Sequence, residues 1–427
     1  MLIKELIEKK RDGLELTFDE IHFIVDGVTR QTIPDYQISA WLMASLCSGM
    51  TEAETAALTE HMLNSGRRLK RCTDRLRVDK HSTGGLGDKT SLILAPLLAC
   101  LELDVPMLSG RGLGITGGTL DKMEAYPGYR CDLSEAEIES QLRKIGCVIT
   151  GTTANVAPAD KRLYAIRDVT GTVPSVGLIT GSIMSKKLAE SLDALVLDVK
   201  WGSGAFMKSI IEARELESSL VRTGRRMGVI TTSLLTDMNQ PLGRMVGNAC
   251  EANEAVDIMK GSGPADAVEV TLALGAELLL STNRESCPEK ARQAIASLLQ
   301  NGQALHRYQE MIEAQSGRFS EVLPIERSTV VESKNSGWVV SLDGARLGNI
   351  VIAMGGGRRS QQDAVNPGVG LEMLVRIGDR VENGQPLLHL FFDGAQPEID
   401  ALRDLAREAV GIGPSQKPGP ALIVESA

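Results

Sequence analysis

The stretch SGRGLGITGGTLDKMEAY, residues 109–126, decides how the chain is interpreted. Five glycines lie between Gly110 and Gly118, and a charged cluster begins at Asp121. The apolar run VPMLS just before them predicts a short strand that ends at Ser109. Glycines allow close backbone approach to a ligand, and ligands bind at the carboxyl ends of strands in open α/β sheets. We therefore predict a phosphate-binding loop here, with the charges that follow it stabilising the loop or binding a cation.

Another glycine-rich stretch, KHSTGGLGDKTS at residues 80–91, has the same character. It comes earlier in the chain and is called the first glycine-rich loop, and residues 109–126 are called the second. The first loop follows a candidate strand, LRV, and precedes an apolar helix, so its backbone N–H groups and the helix N-terminus favour an anion. The ammonium of Lys80 and the hydroxyls of Ser82 and Ser91 would complete the anion site. The spacing matches neither the P-loop nor the dinucleotide-binding fingerprint. Two such loops at the strand ends of one sheet can converge on one phosphate.

The charge and composition of the chain argue against several classes of protein. Of the 427 residues, 43% are hydrophobic and 24% charged, as in an ordinary globular protein with two or three domains. A formal charge of -9 argues against nucleic acid or an acidic membrane as partner. The basic stretch at residues 67–80 has no interleaved aromatic residues and is interpreted as a solvated linker. No apolar run approaches the roughly 18 residues that a membrane span needs.

The N-terminus and the cysteines indicate a cytoplasmic protein. The start, MLIKELIEKKRDG, has helical periodicity and mixed charge, unlike a secretion signal or a transit peptide. The seven cysteines form no CxxC pair, and no histidine stands at metal-ligand spacing from them. Buried, reduced thiols are therefore expected at Cys47, Cys72, Cys100, Cys131, Cys147, Cys250 and Cys287.

Hydrophobic periodicity divides the first three quarters of the chain into helical and α/β parts. Residues 1–66 predict amphipathic helices, and residues 158–192 predict a second helical patch. Between and after them, at 67–157 and 193–330, short apolar strands such as ALVLDV alternate with helices, which is typical of a buried parallel sheet. The predicted fold class is α/β plus α: a small all-helical domain built from two chain segments, and a large α/β domain with a mixed or parallel sheet.

Residues 331–427 predict a C-terminal α+β domain with hairpins. The segments GWVVSLDGARLGNIVIAMGGGRR and VRIGDRVENGQPLLHLFF are interpreted as strands separated by Gly, Asp-Gly and Asn-Gly turns. The segment QPEIDALRDLAREAVGIG predicts one amphipathic helix, and the proline-containing tail PSQKPGPALIVESA predicts a surface segment.

Several segments, in this order, resemble the thymidine and pyrimidine-nucleoside phosphorylases. The likeness runs from about residue 2 to residue 420. It implies a homodimer that associates through the helical domain. The segments are KHSTGGLGDKTS, SGRGLGITGGTLDKMEAYPG, APADKRLYAIRDVTGTV, ITGSIMSKKLAESLDALVLDVKWGSGAFM, DMNQPLG, AMGGGRR and VGLEMLVRIGDRVENGQPL.

The resemblance implies an activity and a set of site residues. Such enzymes convert a pyrimidine nucleoside or deoxynucleoside and phosphate to free base and (deoxy)ribose 1-phosphate in nucleoside salvage, with phosphate as co-substrate and no cofactor required. The positions that match the family's phosphate-binding residues are Lys80, Ser82, Ser91, Ser109 and Thr119.

The base-binding and catalytic positions follow from the same resemblance. The pyrimidine would be held by His81, Arg167, Ser182 and Lys186, and His81, Arg167 and Lys186 would also act in catalysis. The residues themselves support one pair, because Ser182 and Lys186 are four apart and would lie on one helix face. Positive charge grows on the sugar and negative charge on the departing base, so cationic and N–H donors near the base would lower the barrier.

The resemblance also implies a potassium ion, held partly through main-chain oxygens. The matching positions are Gly87, Lys89, Leu242, Met245 and Glu254. Lys89 places an ammonium where a smaller residue is commoner in the family. Two outcomes are open at this stage: the ammonium displaces the ion, or it points away and leaves the backbone site intact.

Two positions bear on which nucleoside is preferred. Ile115 stands where many family members have a histidine within GLGHTGGT, so activity or specificity is expected to differ. Met107 resembles the thymidine-preferring members, whereas RDVTGTV and SIMSKK resemble the members that also accept uridine. The preference for thymidine or uridine therefore stays open.

Two rival interpretations use other features of the chain. A phosphoribosyltransferase of the same broad fold, such as anthranilate phosphoribosyltransferase, also has paired glycine-rich loops but needs acidic Mg²⁺ ligands, for which Asp121 and Glu124 are candidates. The length of the resemblance and the additional C-terminal domain argue against it. VRIGDRVENGQPLLHL resembles the hairpin of biotinyl and lipoyl carrier domains, but the matching region IAMGGGRR offers no lysine for attachment.

Overall fold

The computed structural model describes residues 1–112, 115, 117–358 and 363–424. Leu113, Gly114 and Thr116 of the second glycine-rich stretch lie outside these residues, as does Arg359 in the AMGGGRR segment. The helices are α1 Ile3–Arg11, α2 Phe18–Thr29, α3 Asp35–Ser48, α4 Glu52–Asn64, α5 Thr90–Ala99, α6 Thr119–Met123, α7 Glu135–Ile145, α8 Pro158–Thr170, α9 Val176–Ala189, α10 Ile210–Arg226, α11 Ala249–Met259, α12 Ala265–Ser281, α13 Pro288–Gln300, α14 Gln303–Ala314, α15 Gly344–Ala353 and α16 Gln396–Glu408.

The strands follow the first helical segment and lie between Val78 and Val424. They are β1 Val78–Ser82, β2 Val105–Ser109, β3 Cys147–Gly151, β4 Ala194–Trp201, β5 Ile230–Asp237, β6 Met245–Gly247, β7 Ser328–Glu332, β8 Gly337–Leu342, β9 Gly370–Met373, β10 Arg380–Val381, β11 Pro386–Phe391, β12 Val410–Gly413 and β13 Ile423–Val424. Every helix in the described part of the chain is too short or too polar to cross a bilayer.

A small helical domain forms from two chain segments, as predicted. Helices α1 to α4 share one apolar core with α8 and the start of α9, centred on the fully buried Trp41 and closed by Leu163 and Leu178 from the second segment. Thr51 caps α4 in a capping box with Glu54, which fixes where the helix begins. This packing confirms the fold class that hydrophobic periodicity predicted.

The large α/β domain is built on a mixed sheet. Strands β1, β4 and β5 are parallel neighbours, and β13 adds an antiparallel edge strand beside β5. Strands β2 and β3 form a second parallel pair, which meets the first sheet at a bridge between Arg77 and Asp104. The carboxyl ends of β1 and β2 therefore lead into the two glycine-rich loops. Fully buried β4, at the centre, matches its prediction as a strand covered on both faces.

The C-terminal domain contains two antiparallel sheets, β6-β9-β11-β7 and β10-β8-β12. Strand β6 comes from the α/β part of the chain, so the two domains share a sheet. Helices α15 and α16 pack against each other and enclose a separate apolar core that includes Leu347 and Leu402.

Some local predictions were wrong. Residues 344–353 form helix α15 rather than a strand, because the Asp343 carboxylate accepts a hydrogen bond from Arg346 N (3.0 Å) and caps a helix instead of opening a hairpin. The last helix ends at Glu408, and residues 410–413 pair with β8 as a strand. The tail also joins a sheet, since Ile423 pairs with Thr236 of β5.

The basic stretch at residues 67–80 is solvated only in its first part, where Arg67, Arg68, Lys70 and Arg71 are exposed, and its end, residues 77–80, is buried. Arg77 is fully buried and donates to the carbonyls of Leu69 (3.3 Å) and Glu190 (3.1 Å), where the chain passes between the helical and α/β domains. Arg75 pairs with the buried Asp104 at 2.8 Å.

All seven cysteines are free thiols; Cys131, Cys147 and Cys250 are buried as expected, Cys72, Cys100 and Cys287 are partly exposed, and Cys47 is exposed.

Candidate active site

Strand β1 distributes its side chains to two sides of the sheet, because successive residues of a strand alternate. The ammonium of Lys80 points to the first glycine-rich loop, where it lies 2.6 Å from Thr90 Oγ1 and 3.4 Å from Ser91 Oγ. Asp79 points the other way and pairs with Lys187 of α9 in the helical segment. His81 shares that side and lies within the electrostatic field of the α9 lysines. One strand therefore presents side chains to two sides, which are named after their predicted ligands the phosphate side and the base side.

The first glycine-rich loop turns close against the sheet. A Cβ at Gly85 would lie 2.3 Å from both the Lys200 side chain and Met238 Sδ, so only glycine fits. Gly84 donates from its backbone N–H to Ser82 Oγ at 3.2 Å. The predicted phosphate residues Lys80, Ser82 and Ser91 are thus gathered at one end of β1, with Ser91 in the first turn of α5.

A buried charge quartet, consisting of Lys80, Asp88, Asp198 and Lys200, lies beneath this loop. The Lys80 ammonium is 3.2 Å from Asp88 and 3.5 Å from Asp198, and Lys200 is 2.8 Å from Asp198. Burial opposes ionisation of Asp88, but Lys200, Lys80 and Lys122 outweigh it and hold the pKa of this carboxyl well below its ordinary value. The quartet fixes the Lys80 ammonium beside the Ser91 hydroxyl without a bound ligand.

The second glycine-rich stretch folds back on itself at the end of β2. A Cβ at Gly118 would lie 2.1 Å from Gly112 N, and Gly112 N donates to the Asp121 carboxylate at 2.7 Å. Leu120 N donates to Gly110 O at 3.4 Å, which places the first turn of α6, with Thr119, beside the end of the Ser109 strand. The charges that follow the glycines therefore stabilise the loop.

The two loops are tied together by one lysine. Lys122 Nζ donates to Asp88 O at 2.6 Å and pairs with the buried Glu251 at 2.7 Å. Asp121 and Glu124 are held by arginines: Arg358 pairs with the first and Arg111 with both. Both candidate Mg²⁺ ligands of the phosphoribosyltransferase interpretation thus have structural partners. Within the described residues there is no cluster of three His, Cys, Asp or Glu side chains that could hold a metal ion.

Helix α9 presents the predicted pair on the base side. Lys186 Nζ lies 2.9 Å from Ser182 Oγ, as their four-residue spacing predicted, and it also pairs with Asp160 at the start of α8. The Lys186 side chain keeps 27% of its surface exposed, so it is accessible to a ligand. Asp160 holds this ammonium in place.

Arg167 is buried against the connection between α8 and α9. Its guanidinium donates to Val173 O (2.7 Å), Leu178 O (3.0 Å) and Thr172 O (3.5 Å). Burial lowers the pKa of Arg167 from its ordinary value, although Asp160 acts in the opposite direction. Three of its five N–H groups thus bind backbone in the described part of the chain. The structure places Arg167 on the base side without direct contact to Ser182 or Lys186.

The electrostatic environment of His81 shifts its pKa strongly. Burial lowers the pKa of His81 well below 6.5, and the positive charges of Lys187, Lys186 and Lys80 lower it further. The imidazole is therefore neutral at physiological pH and can donate one N–H. Folded His81 stays unprotonated where the unfolded residue binds a proton, so this group contributes stability that is complete above about pH 6.5 and falls on acidification below it.

This shift can be measured directly. Burial also lowers the pKa of His61, but we expect the His81 imidazole to remain neutral well below pH 6.5 in an NMR pH titration of protein labelled at its five histidines. Its signal should vanish in a His81→Asn variant, which gives the assignment. A His81 signal that titrates near pH 6.5 would contradict the expected electrostatic environment.

Comparison with known proteins agrees with this geometry. A family model described as the a/b domain of a glycosyl transferase family matches residues 74–305, the helical bundle domain of that family matches residues 4–66, and the pyrimidine nucleoside phosphorylase C-terminal domain matches residues 338–413. Pyrimidine-nucleoside phosphorylases of Staphylococcus aureus strains MSSA476 and N315 are each 43% identical over 395 residues, covering 91% of this chain and 91% of theirs. The chain belongs to the pyrimidine-nucleoside phosphorylase family.

A distant structural likeness shows the fold alone. The crystal structure of anthranilate phosphoribosyltransferase from Thermus thermophilus matches with a TM-score of 0.59 at 16% identity, covering 73% of this chain and 99% of that one. This confirms the broad fold that the family shares with phosphoribosyltransferases. It gives no support to the rival activity, since the C-terminal phosphorylase domain is present here.

The five residues predicted to hold a potassium ion do lie together. The Lys89 ammonium occupies the space among their oxygens, so an added cation does not fit there. Lys89 Nζ lies 2.7 Å from Leu242 O and 3.3 Å from Met245 O, and it pairs with the Glu254 carboxylate. Gly87 packs against the same carbonyls. Of the two outcomes left open by the sequence, the structure shows the ammonium turned inward, among the oxygens.

Sequence reasoning missed the charged residues that hold the site residues in place. Asp160, Lys187 and Glu190 surround the base side, and their partners lie far away in sequence. Lys187, for example, pairs with Asp79, 108 residues away, and donates to Leu108 O at 2.9 Å, 79 residues away. One signal was available: Asp198 interrupts the apolar strand β4, and a charged residue in a buried strand needs a partner.

Proposed function

We propose that the protein catalyses phosphorolysis of pyrimidine nucleosides or deoxynucleosides, giving free base and (deoxy)ribose 1-phosphate. One observation carries the proposal: β1 places Lys80 with the Ser91 hydroxyl on one side of the sheet, and Asp79 with Lys187 of α9 on the other. A phosphate and a base bound beyond the carboxyl end of β1, each toward one of these sides, would have the sugar between them. Family membership supports the same reaction.

On the phosphate side, the proposed ligands are Lys80, Ser82, Ser91, Ser109 and Thr119. The Lys80 ammonium is held in position by the charge quartet, so little reorganisation is needed when phosphate arrives. The nucleophilic phosphate oxygen attacks C1′ while the bond from C1′ to N1 breaks. The phosphate also stabilises the positive charge that grows on the sugar.

On the base side, the proposed task is to stabilise the departing pyrimidine. Negative charge spreads from N1 to the ring carbonyls as the bond breaks, and the Lys186 ammonium and Ser182 hydroxyl, 2.9 Å apart, would bind it. Neutral His81 would donate its N–H to the O2 carbonyl, since a neutral imidazole is not repelled by the three lysines around it. Arg167 would donate a remaining N–H while holding the connection between α8 and α9.

We further propose a cytoplasmic homodimer, associated through the helical domain, that acts in nucleoside salvage. No cofactor is required for the proposed chemistry, with phosphate as the co-substrate. Light scattering of the purified protein in solution would test the dimer, and a monomeric mass at micromolar concentration would contradict it.

The deciding experiment measures release of free base from thymidine, deoxyuridine and uridine, each with and without inorganic phosphate. We expect release only with phosphate, with equimolar sugar 1-phosphate as the second product. The ratio of thymidine to uridine turnover reports how Ile115 affects substrate choice. Release of base without phosphate, or no release from any of the three, would contradict the proposal.

A further inference from the structure

The ammonium of Lys89 is a buried cation with a complete set of oxygen neighbours. Lys89 has no exposed surface, and its Nζ contacts Leu242 O at 2.7 Å, Met245 O at 3.3 Å and the Glu254 carboxylate. Carbonyl and carboxylate oxygens are also the ligands that hard metal cations take in proteins. The ammonium therefore occupies a position with the chemistry of a cation site.

The carbonyl oxygens of the surrounding turn, residues 241–245, accept hydrogen bonds from two cationic side chains. Pro241 O and Gly243 O accept from Arg376 Nη1 of the C-terminal domain, at 2.7 and 3.0 Å. The alternate carbonyls, those of Leu242 and Met245, face Lys89. Four carbonyls of this short turn are thus divided between the buried Lys89 and the partly exposed Arg376.

The oxygens around Lys89 are fixed independently of it. Glu254 accepts backbone N–H groups from Arg244 (3.0 Å) and Met245 (3.3 Å). Leu242 N donates to Leu86 O at 3.0 Å, and a Cβ at Gly87 would lie 2.6 Å from Leu242 O. Removing the ammonium would therefore leave a preformed, negatively polarised space rather than a collapsed one.

There is no room for a metal ion beside the ammonium. A Cβ built on Gly243 would lie 2.3 Å from Glu254 Oε2 and 2.7 Å from Lys89 Nζ, so the backbone closes over the pair. Lys89 also directly follows Asp88, the carboxylate 3.2 Å from the Lys80 ammonium, and stands as the N-cap residue of α5. A change at Lys89 therefore reaches the phosphate loop through the adjacent Asp88.

We propose that Lys89 is a positioning residue whose ammonium replaces a bound potassium ion, so that the phosphate loop is ordered in this protein without any monovalent metal. The same geometry assigns a latent potassium site to the chain, which opens when the ammonium is removed. The activity part rests on the proposed phosphorolysis, whereas the stability part does not.

The test compares the unaltered protein with Lys89→Ser and Lys89→Met in KCl and in tetramethylammonium chloride at equal ionic strength. The unaltered protein should show the same kcat/KM for phosphate and the same Tm in both salts. Lys89→Ser should lose roughly tenfold or more of kcat/KM in tetramethylammonium and regain most of it in KCl, with a matching rise in Tm. Lys89→Met fills the space without a charge, so neither quantity should respond to potassium.

Each outcome decides the proposal. A several-fold stimulation of the unaltered protein by potassium would overturn it, as would a Lys89→Ser protein whose Tm and activity are equal in both salts, or a Lys89→Met protein that is rescued equally. Lys260→Ala is the matched control, because it removes a surface lysine that pairs with Glu321 and should change no salt response. If Lys89→Ser does not fold, the measurement on the unaltered protein still stands. Failure of phosphorolysis itself would remove the activity but leave the Tm comparison intact.

Discussion

A Lys80→Met variant is expected to lose roughly 10²–10³-fold in kcat/KM for phosphate, the usual cost of removing one donor aimed at a developing charge. The Lys80 ammonium lies 2.6 Å from Thr90 Oγ1 and 3.4 Å from Ser91 Oγ, at the end of the strand that leads into the first glycine-rich loop. Methionine keeps the length of the side chain but removes the charge. Initial rates over a range of phosphate concentrations, at saturating nucleoside, would measure the loss.

The charge quartet supplies a matched control for this variant. Lys200→Met also removes one ammonium beside Asp88 and Asp198, but the Lys200 ammonium donates to Thr236, whereas the Lys80 ammonium donates to Ser91. Both variants should lower Tm, since each leaves a buried carboxylate short of a partner. Only Lys80→Met should also raise KM for phosphate strongly. Equal kinetic losses in the two variants would mean that Lys80 acts only by holding the fold.

Features that depend on neighbouring residues were predictable from the sequence. The strand VPMLS, the glycine loops after β1 and β2, and the pairing of Ser182 with Lys186 all follow from short-range periodicity and backbone freedom. The division of the helical domain into two segments was visible because short, near-continuous apolar strands interrupt the pattern of amphipathic helices. These elements carry the predicted phosphate residues and, on the base side, His81, Ser182 and Lys186.

Features that depend on distant contacts were not predictable in the same way. Lys89 meets Leu242, 153 residues later, and Lys187 meets Asp79, 108 residues earlier. Nothing local distinguishes such a lysine from a surface lysine. The sequence also placed Arg167 in the base site by family likeness, but only the structure shows its guanidinium among the carbonyls of the connection between α8 and α9.

The errors in the C-terminal domain have a physical cause. The Asp-Gly pair at residues 343–344 is a strong hairpin signal, yet an aspartate is equally suited to cap a helix, and the apolar residues that follow fit either period over a short run. Tertiary packing decides between them: Leu347 and Ile350 face the core that α15 shares with α16. A similar choice ends α16 at Glu408, after which Gly411 and Gly413 disfavour a helix and pair with β8.

The second large effect is expected at Lys186. A Lys186→Met variant should lose roughly 10²–10³-fold in kcat, because this ammonium is proposed to stabilise charge that exists on the base only as the bond to C1′ breaks. Tm should fall as well, since the Asp160 carboxylate is only 6% exposed and loses its ammonium partner, so Tm and kcat are measured together. Asp160→Asn is the graded companion: it keeps the ammonium but weakens its placement, so its loss in kcat should be smaller.

The dependence on the leaving base separates this role from a structural one. A nucleoside whose base carries an electron-withdrawing group, such as 5-fluorouridine, places less demand on external stabilisation because the departing base already tolerates the negative charge. The penalty of Lys186→Met should therefore be several-fold smaller with 5-fluorouridine than with uridine, measured as the ratio of kcat between variant and unaltered protein. A penalty that is equal for both nucleosides would show that Lys186 shapes the site without meeting the departing base. Ser182→Ala should also lose less kcat with 5-fluorouridine than with uridine. The difference between the two nucleosides should be smaller than for Lys186→Met, since a neutral hydroxyl stabilises developing charge less than an ammonium does.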